Sequence, residues 1–477
     1  MPVLRDNGVP ATPLAGICRQ STHYQDRQQC KWRVSVLESY FKITSQGSSV
    51  RRDILAGIAT FLAAMYIIVV NPTIMNAAGI PFASALTATV LVSFFGSLMM
   101  GLYARNPILV APGMGINALF TYTMVVGAGI PWQTALGCVF WAGILFAVLA
   151  VLNVRRYIID AIPAQLRYAI SCGIGLFITV IGLVNAGFLV SNPATVVGLG
   201  EMTPTLVTFL IGLAITAVLV ARNMPGALII GIVATTLMAT AIGRFWGDAS
   251  AFSPTGTATL VNFNGIFALP DFSAVGQLDL IGALNIAYWP FIFVVLFTTF
   301  FDALSTFMGV CQAGKLLDRN GEPRNIRQSM MVDAMSAVIS APLGTSPANA
   351  YVESAAGISQ GGRSGLVAVT AALLFLPFLF LSPLLSLVPS IATAPALIMV
   401  GVFMLDPIRH INWYEFDDAI PAFIAMILIP LTYSITHGVV FGFLAFVVVK
   451  AGVGKRHEIH PTMWILAALS LLLLFQE

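Results

Sequence analysis

The sequence predicts a polytopic α-helical membrane protein. Its 477 residues are 58% hydrophobic and only 9% charged, with a mean hydropathy of +0.90, whereas a soluble domain carries roughly a quarter charged residues. The apolar residues form uninterrupted runs, which differ from the alternating pattern of a membrane β-barrel. Because the backbone must satisfy its own hydrogen bonds inside a bilayer, such runs predict an all-α fold of spanning helices and exclude a soluble protein.

Apolar runs bounded by Gly, Pro and charge predict about 14 spanning segments in two sets of seven. The first set lies near residues 54–71, 82–102, 108–126, 131–152, 168–188, 204–221 and 226–243. The second set lies near residues 286–310, 327–341, 348–360, 364–388, 391–405, 418–434 and 437–450. Seven is odd, so a second set that resembles the first lies upside down in the membrane. The pattern therefore predicts a 7+7 inverted repeat.

These segments divide the chain into five parts. They are a cytoplasmic N-terminal tail over 1–52, a first repeat over 53–243, an external connecting segment over 244–285, a second repeat over 286–450 and a C-terminal segment over 451–477. The tail is polar and lacks the short apolar core and cleavage site of a signal peptide. The apolar stretch 462–474 is short for a span, so we expect an interfacial or peripheral helix there.

The positive charges predict the orientation. Lys and Arg cluster in alternate loops, at Arg105, Arg155, Arg156, Arg167, Arg222, Lys315, Arg319, Arg324, Arg327, Arg363, Arg409, Lys450, Lys455 and Arg456. Such loops face the cytoplasm, which predicts a multi-pass protein of the cell (inner or plasma) membrane with a cytoplasmic N-terminus. The net charge of +3 does not indicate a nucleic-acid partner.

Two apolar segments are interrupted at matching places in the two sets. The third contains Val-Ala-Pro-Gly-Met-Gly-Ile-Asn at 110–117, and the tenth contains Gly-Thr-Ser-Pro-Ala-Asn-Ala-Tyr-Val-Glu at 344–353. Broken segments at corresponding positions of inverted halves mark the midplane substrate site of a transporter. The alternative is that Gly and Pro only permit close helix packing.

Ionisable residues inside spanning segments are costly and need a partner or a function. Asp302 lies in the middle of the eighth segment, and Glu353 follows the break in the tenth. We expect both to bind substrate and to carry a coupling proton, because a buried carboxyl can change its protonation state during transport. Asp333 lies near the start of the ninth segment, where we expect a structural role.

Five further residues are candidates for substrate binding: Asn117, Thr299, Phe301, Ser346 and Tyr351. An amide both donates and accepts hydrogen bonds, and an aromatic face stacks on a flat ring. Together with the carboxyls they suit a small planar ligand with ring N–H groups. The alternative is a packing amide at Asn117 and intrahelical bonding by the hydroxyl groups.

Other classes of function have less support in the sequence. The five cysteines lack the spacing of metal ligands, so we expect neither a metal site nor a cofactor beyond a coupling proton. The sequence contains no voltage-sensing arginine series, selectivity-filter sequence or nucleophile motif. A channel or a membrane enzyme is therefore a weaker interpretation than a transporter.

Several motifs carry a family resemblance. They read Ala-Pro-Gly-Met-Gly-Ile-Asn-Ala at 111–118, Ser-Cys-Gly-Ile-Gly-Leu-Phe-Ile at 171–178, Phe301-Asp302 with Thr306, Tyr-Val-Glu-Ser-Ala-Ala-Gly at 351–357, and Gly-Gly-Arg-Ser-Gly-Leu at 361–366. With these motifs the chain resembles, over about residues 38–475, the purine permeases of the AzgA type. Those permeases lie in the nucleobase:cation symporter superfamily, which includes the nucleobase-ascorbate transporters.

The resemblance implies a core domain of segments 1–4 and 8–11, a gate domain of segments 5–7 and 12–14, and short antiparallel strands in segments 3 and 10. It implies proton-coupled import of adenine, guanine or hypoxanthine, with a core that moves against a dimerising gate. Asn117, Asp302 and Glu353 match polar residues that bind or couple substrate in the family. Ser305 replaces a common Gly, and 346–350 departs from a Thr/Ser/Val-rich stretch, so the preferred purine stays open. A pyrimidine, xanthine or anion carrier on the same fold is the alternative.

Overall fold

The computed structural model describes residues 38–152, 163–192, 195–246, 267–314, 316–317, 323–385 and 388–474. Within these ranges eight helices are long and apolar enough to span a membrane, and three further apolar helices are shorter. The chain is therefore a mostly helical, multi-pass membrane protein, as the composition predicts.

Most helices of the first set follow the predicted segments. They are α1 (Val50–Ala64), α2 (Ile67–Ala77), α3 (Phe82–Met99), α4 (Met114–Ala118), α5 (Trp132–Val151), α6 (Ala164–Asn185), α7 (Pro204–Ala221) and α8 (Ala227–Trp246). The first segment was predicted at 54–71, but it starts earlier, because the Ser49 hydroxyl caps α1 by accepting from the N–H of Arg52. It continues through α2 as one 28-residue apolar stretch.

The second set is formed by α9 (Trp289–Ala313), α10 (Ile326–Leu343), α11 (Ser354–Ser359), α12 (Leu366–Phe375), α13 (Ser382–Leu385), α14 (Ser390–Met404), α15 (Phe416–Leu431) and α16 (Ile435–Gly452). A last helix, α17 (Pro461–Leu474), covers the predicted peripheral stretch. The helix itself is present, and its position relative to the bilayer stays a prediction.

The two interrupted segments each begin with a short strand. Strand β1 (Val110–Pro112) precedes α4, and β4 (Ala348–Ala350) precedes α11. The two strands pair antiparallel, with Ala111 opposite Asn349. This pairing confirms the short antiparallel strands that the resemblance implies.

A second pair of strands was not predicted. Between α6 and α7, β2 (Leu189–Asn192) and β3 (Val196–Leu199) form an antiparallel hairpin, so the all-α prediction is incomplete. Several of its apolar side chains are exposed, among them Val190, Val197 and Leu199. A short hairpin of this kind gives little periodic signal beside two long apolar helices.

The helices pack in two groups. In the first group α5 packs against α10, α1 against α12, and α2 against α3. In the second group α6 packs against α14 and α15, α15 against α16, and α7 against α8. Some contacts are backbone to backbone: a Cβ added to Gly101 would lie 2.5 Å from the carbonyl oxygen of Gly365.

Residues 267–285 cover one end of the first group. The N–H of Asp279 donates to the carbonyl oxygen of Gln133 (2.9 Å), and the N–H of Ala274 donates to the Ser84 hydroxyl (2.9 Å). The Trp141 indole N–H donates to the carbonyl oxygen of Leu280 (3.0 Å). This part of the predicted connecting segment is therefore bound to the helices. The rest, apart from the end of α8, lies outside the described residues.

A network of charged side chains joins α15, α16 and the turn before α17. Lys450 is 3% exposed and pairs with Asp417 (2.8 Å), Asp418 (2.9 Å) and Glu458 (2.8 Å). Lys455 also pairs with Asp417 (2.8 Å). The hydrogen bond from Lys450 lowers the pKa of the Glu458 carboxyl, and the bond to Asp417 raises the pKa of Lys455. The network holds three elements together at one end of the second group.

We expect Gly101→Ala to destabilise the protein. The new methyl group would meet a main-chain oxygen that cannot move independently of its helix, and such overpacking costs about 1–3 kcal/mol. The matched control is Gly309→Ala in α9, because a Cβ there has no atom within 4 Å. The apparent melting temperature of the detergent-solubilised protein checks this. Equal melting temperatures for the two variants would contradict the proposed close contact.

Lys450→Met tests the charged network. The substitution removes the cation from Asp418 and leaves Asp417 with Lys455, whose side chain is 34% exposed. Breaking a buried pair completely typically costs about 3–5 kcal/mol, which is the upper bound here. The control is Arg409→Met, which removes an ion pair to Asp406 whose side chains are 66% and 61% exposed and which therefore contributes little. We expect a clear drop in melting temperature for the first variant only, and a similar drop for both would refute the role of burial.

Candidate functional site

The paired strands lie in the interior of the first helix group. Strand β1 contacts α3, and β4 contacts α9 and α10; all six strand residues are buried. Additional bonds extend the pairing: the N–H of Gly113 donates to the carbonyl oxygen of Pro347 (3.0 Å), and the Tyr351 hydroxyl donates to that of Pro112 (2.6 Å). Each break thus satisfies main-chain groups of the other, as a membrane interior requires.

Two polar pairs surround the strands. The Asn349 amide N–H donates to a carboxylate oxygen of Asp302, which joins β4 to α9. The Ser346 hydroxyl donates to the amide oxygen of Asn117, which joins the residues before β4 to α4. Two of the three residues matched to the family motif are therefore bonded to the chain around β4.

The third motif residue, Glu353, is bonded from a different helix. The Tyr66 hydroxyl donates to Glu353 Oε1 at 2.8 Å. Tyr66 lies between α1 and α2, and Glu353 is the residue just before α11. The structure thus brings Asn117, Asp302 and Glu353 together around one strand pair.

Glycine is required beside Asn349. A Cβ added to Gly113 would lie 2.5 Å from the side-chain oxygen of Asn349. A larger residue at 113 would displace the amide that bonds Asp302. This contact gives the Pro-Gly step of the first break a specific function, in addition to interrupting the helix.

Phe301 offers an aromatic surface next to Asp302. Its ring is 6.3 Å from that of Phe297 and inclined by 15°. The Arg167 guanidinium, from α6, lies 5.8 Å from the Phe301 ring centre. Arg167 was predicted only as a cytoplasmic loop charge, and nothing in the sequence indicates that folding brings it to this ring.

Three other predicted residues are Thr299, Tyr351 and Asp333. The hydroxyl groups of Thr299 and Tyr351 bond main-chain oxygens, and Asp333 lies deeper than predicted. The Thr299 hydroxyl donates to the carbonyl oxygen of Val295 (2.7 Å), one turn back in its own helix, which agrees with the alternative of intrahelical bonding. Tyr351 is 4% exposed and its hydroxyl ties β4 to β1. Asp333 is completely buried in α10, deeper than a helix entrance, and its carboxyl faces the main chain of Ala350 in β4.

The site borders the second helix group. A Cβ on Gly115, in α4, would lie 2.6 Å from a side-chain methyl of Ile174 in α6. Gly115 belongs to the first broken segment, and Ile174 belongs to the motif at 171–178. The polar pairs therefore lie close to the surface where the two groups meet, which is where a transporter must open and close.

Tyr66 has no signal in the sequence. It lies within the apolar run of the first predicted segment, which contains neither Pro nor a charge between Ile54 and Val70. A tyrosine in such a run is usually a packing residue whose hydroxyl finds some partner. Only the folded chain identifies the partner as Glu353, which is 287 positions away.

Comparisons with known proteins agree with the motifs. The adenine permease AdeP of Escherichia coli (strain K12) is 39% identical over 440 residues, which cover 92% of this chain and 95% of that protein. The guanine/hypoxanthine permease PbuO of Bacillus subtilis (strain 168) is 40% identical over 441 residues, which cover 91% and 99%. Both matches span nearly the whole relative.

Solved structures support the fold. The transmembrane domain of the cyanobacterial bicarbonate transporter BicA aligns with a TM-score of 0.62 at 16% identity, over 81% of this chain and 97% of that domain. The structure of SLC26A9 aligns with a TM-score of 0.59 at 13% identity, over 95% of this chain and 73% of that one. At these identities the similarity establishes the fold alone.

A family match completes the assignment. Residues 51–441 match the family described as the Permease family, a range that includes the strand pair, the two polar pairs around it and the Tyr66–Glu353 bond. The resemblance found in the motifs is thereby confirmed, and the chain is a transporter rather than an enzyme. It belongs to the Permease family.

Proposed function

We propose that the chain imports purine nucleobases by proton symport and alternating access. The observation that carries the proposal is the convergence of Asn117, Asp302 and Glu353 around the paired breaks. Relatives near 40% identity are named adenine permease and guanine/hypoxanthine permease, which supports adenine, guanine or hypoxanthine as the substrate. The coupling ion is a proton, and we propose no resident cofactor.

Purine chemistry suits these groups. A purine base offers ring N–H groups as donors and ring nitrogens as acceptors in one plane. Carboxylate oxygens accept such N–H groups, and the Asn117 amide can both donate and accept. Phe301 provides a ring on which the base can stack. Ser346, Tyr351 and Thr299 then support the site by holding the strands and α9, with Ser346 in contact with Asn117.

Asp302 and Glu353 also carry the coupling proton in this proposal. Carboxyl groups inside a membrane domain are costly unless they are functional, and they mark proton pathways in transporters. Protonation removes the charge before the site crosses the low-dielectric interior. Substrate and proton would therefore move together.

The finer architecture belongs to the same proposal. We propose 14 spans in a 7+7 inverted repeat, with the five parts of the chain as predicted, the first helix group as the core domain and the second as the gate domain. The antiparallel pairing of two breaks at corresponding places in the halves supports this symmetry. The protein would lie in the inner or plasma membrane with its N-terminus in the cytoplasm, and dimerise through the gate.

One observation favours a different substrate class. The Arg167 guanidinium lies 5.8 Å from the centre of the Phe301 ring. An anion would use such a cation. The carboxyls of Asp302 and Glu353 in the same site would repel it, so we place an anion carrier second, together with pyrimidines and xanthine.

Uptake in cells without their own purine permeases tests the substrate and the coupling. We expect saturable uptake of radiolabelled adenine, guanine or hypoxanthine that collapses when a protonophore is added, because no gradient then drives symport. Unlabelled purines should compete, while uracil, xanthine and bicarbonate should not. Saturable uptake that survives the protonophore would contradict proton coupling, and competition by bicarbonate alone would favour the anion alternative.

Neutral isosteres test the two acids. We expect Glu353→Gln and Asp302→Asn each to lower purine uptake by roughly 10- to 100-fold, since a hydrogen bond to a charged group is worth about 1.5–3 kcal/mol. The matched control is Glu201→Gln, an exposed acid before α7, which should transport normally. Each rate is divided by the amount of protein in the membrane. Normal uptake by both isosteres would refute the site.

A further inference from the structure

Tyr66 occupies an irregular turn inside a long apolar stretch. In the turn between α1 and α2 the N–H of Ile68 donates to the carbonyl oxygen of Met65, and that of Val69 to Tyr66 (both 3.1 Å). These bonds span three residues, as in a 3₁₀-helix, and not the four of an α-helix. Tyr66 is 1% exposed. The irregular turn therefore sets the direction of a completely buried phenol.

The distance between Tyr66 and Glu353 is fixed by close packing of their helices. Helix α11 packs against α1, and a Cβ added to Gly357 would collide with the Thr60 hydroxyl and the carbonyl oxygen of Ala56. The absence of a side chain at 357 lets the two backbones touch. Glu353, one turn before Gly357, is thereby held within reach of the phenol.

The hydrogen bond distinguishes the two oxygens of Glu353. A carboxylate only accepts hydrogen bonds, so the Tyr66 hydroxyl must donate to Oε1. If the acid takes up a proton while this bond persists, the proton resides on Oε2, because Oε1 remains the acceptor. Glu353 is partly exposed while Tyr66 is completely buried, and the phenol bonds Oε1 and not Oε2.

We propose that Tyr66 is a positioning residue for Glu353: it fixes the rotation of the carboxyl and so selects Oε2 as the oxygen that faces the purine. While the acid is ionised, Oε2 accepts a ring N–H; when it takes up the coupling proton, it donates that proton to a ring nitrogen instead. This inference rests on the proposed function and deepens it. Packing alone would be served by phenylalanine, since a buried hydroxyl is costly unless it is bonded.

The test is purine binding and uptake by Tyr66→Phe. The ring and its packing remain, while Glu353 loses the bond that orients it. We expect the Kd of the purified protein for a tritiated purine, and the KM for uptake, to rise about tenfold, with Vmax changed less than about twofold, because the loss is one of uniform binding. The control Tyr40→Phe removes a tyrosine hydroxyl bond at an exposed position away from the site, to the carbonyl oxygen of Leu102 (3.0 Å), and should bind normally.

A double-mutant cycle separates positioning from general packing. Glu353→Asp keeps the carboxyl but shortens the side chain, which moves it away from the Tyr66 hydroxyl. If Tyr66 acts through Glu353, Tyr66→Phe should raise Kd by less than about twofold in the Glu353→Asp background. An equal tenfold rise in both backgrounds would mean a structural role and would overturn the inference.

The positioning role of Tyr66 and the proposed substrate site can be refuted separately. Unchanged purine binding by Tyr66→Phe, together with the loss of binding by Glu353→Gln, overturns the positioning role and leaves the proposed site intact. Full binding by Glu353→Gln removes Glu353 from the site and the inference with it. A raised Kd in Tyr66→Phe that disappears in the cycle supports both.

Discussion

The structure depends on the hydrogen bonds between two broken segments. A bilayer offers no water to main-chain groups that leave a helix, and each unsatisfied group is expensive there. Strands β1 and β4 solve this problem for one another, and the Tyr351 hydroxyl supplies a further bond to Pro112. The main-chain groups of the two breaks satisfy each other's hydrogen bonds. The polar residues Asn117, Asn349 and Glu353 can therefore lie beside non-helical backbone inside the membrane domain.

Local patterns predicted the framework well. Long apolar runs gave most helices to within a few residues, although the predicted segment 364–388 contains two helices, α12 and α13. Pro112-Gly113 and Pro347 indicated the breaks, because these signals depend on neighbouring residues in the chain. The hairpin of β2 and β3 was not predicted, since a few exposed residues carry no strong periodicity. The irregular turn at Tyr66 was missed for a related reason: neither glycine nor proline marks it.

The residues of the site were likewise predictable only in part. Asp302 and Glu353 could be identified because a charge in an apolar run needs a reason. Their hydrogen-bond partners, Asn349 and Tyr66, could not be identified from the sequence, because only the folded structure brings them close to the two acids. Thr299 shows the converse limit: its residue type suits a ligand, yet its hydroxyl bonds its own helix. Residue type narrows the candidates, and only geometry shows which atoms remain for chemistry.

The pairing of β1 with β4 has a consequence for biosynthesis. Pro112 and Tyr351 are 239 positions apart, so a ribosome delivers the first break to the membrane long before its partner exists. During that interval the main-chain groups of residues 110–113 need a temporary partner, from water, lipid headgroups or the insertion machinery. Truncated chains that end before α9 should therefore be targets of quality control, and the final assembly step is the meeting of the two halves.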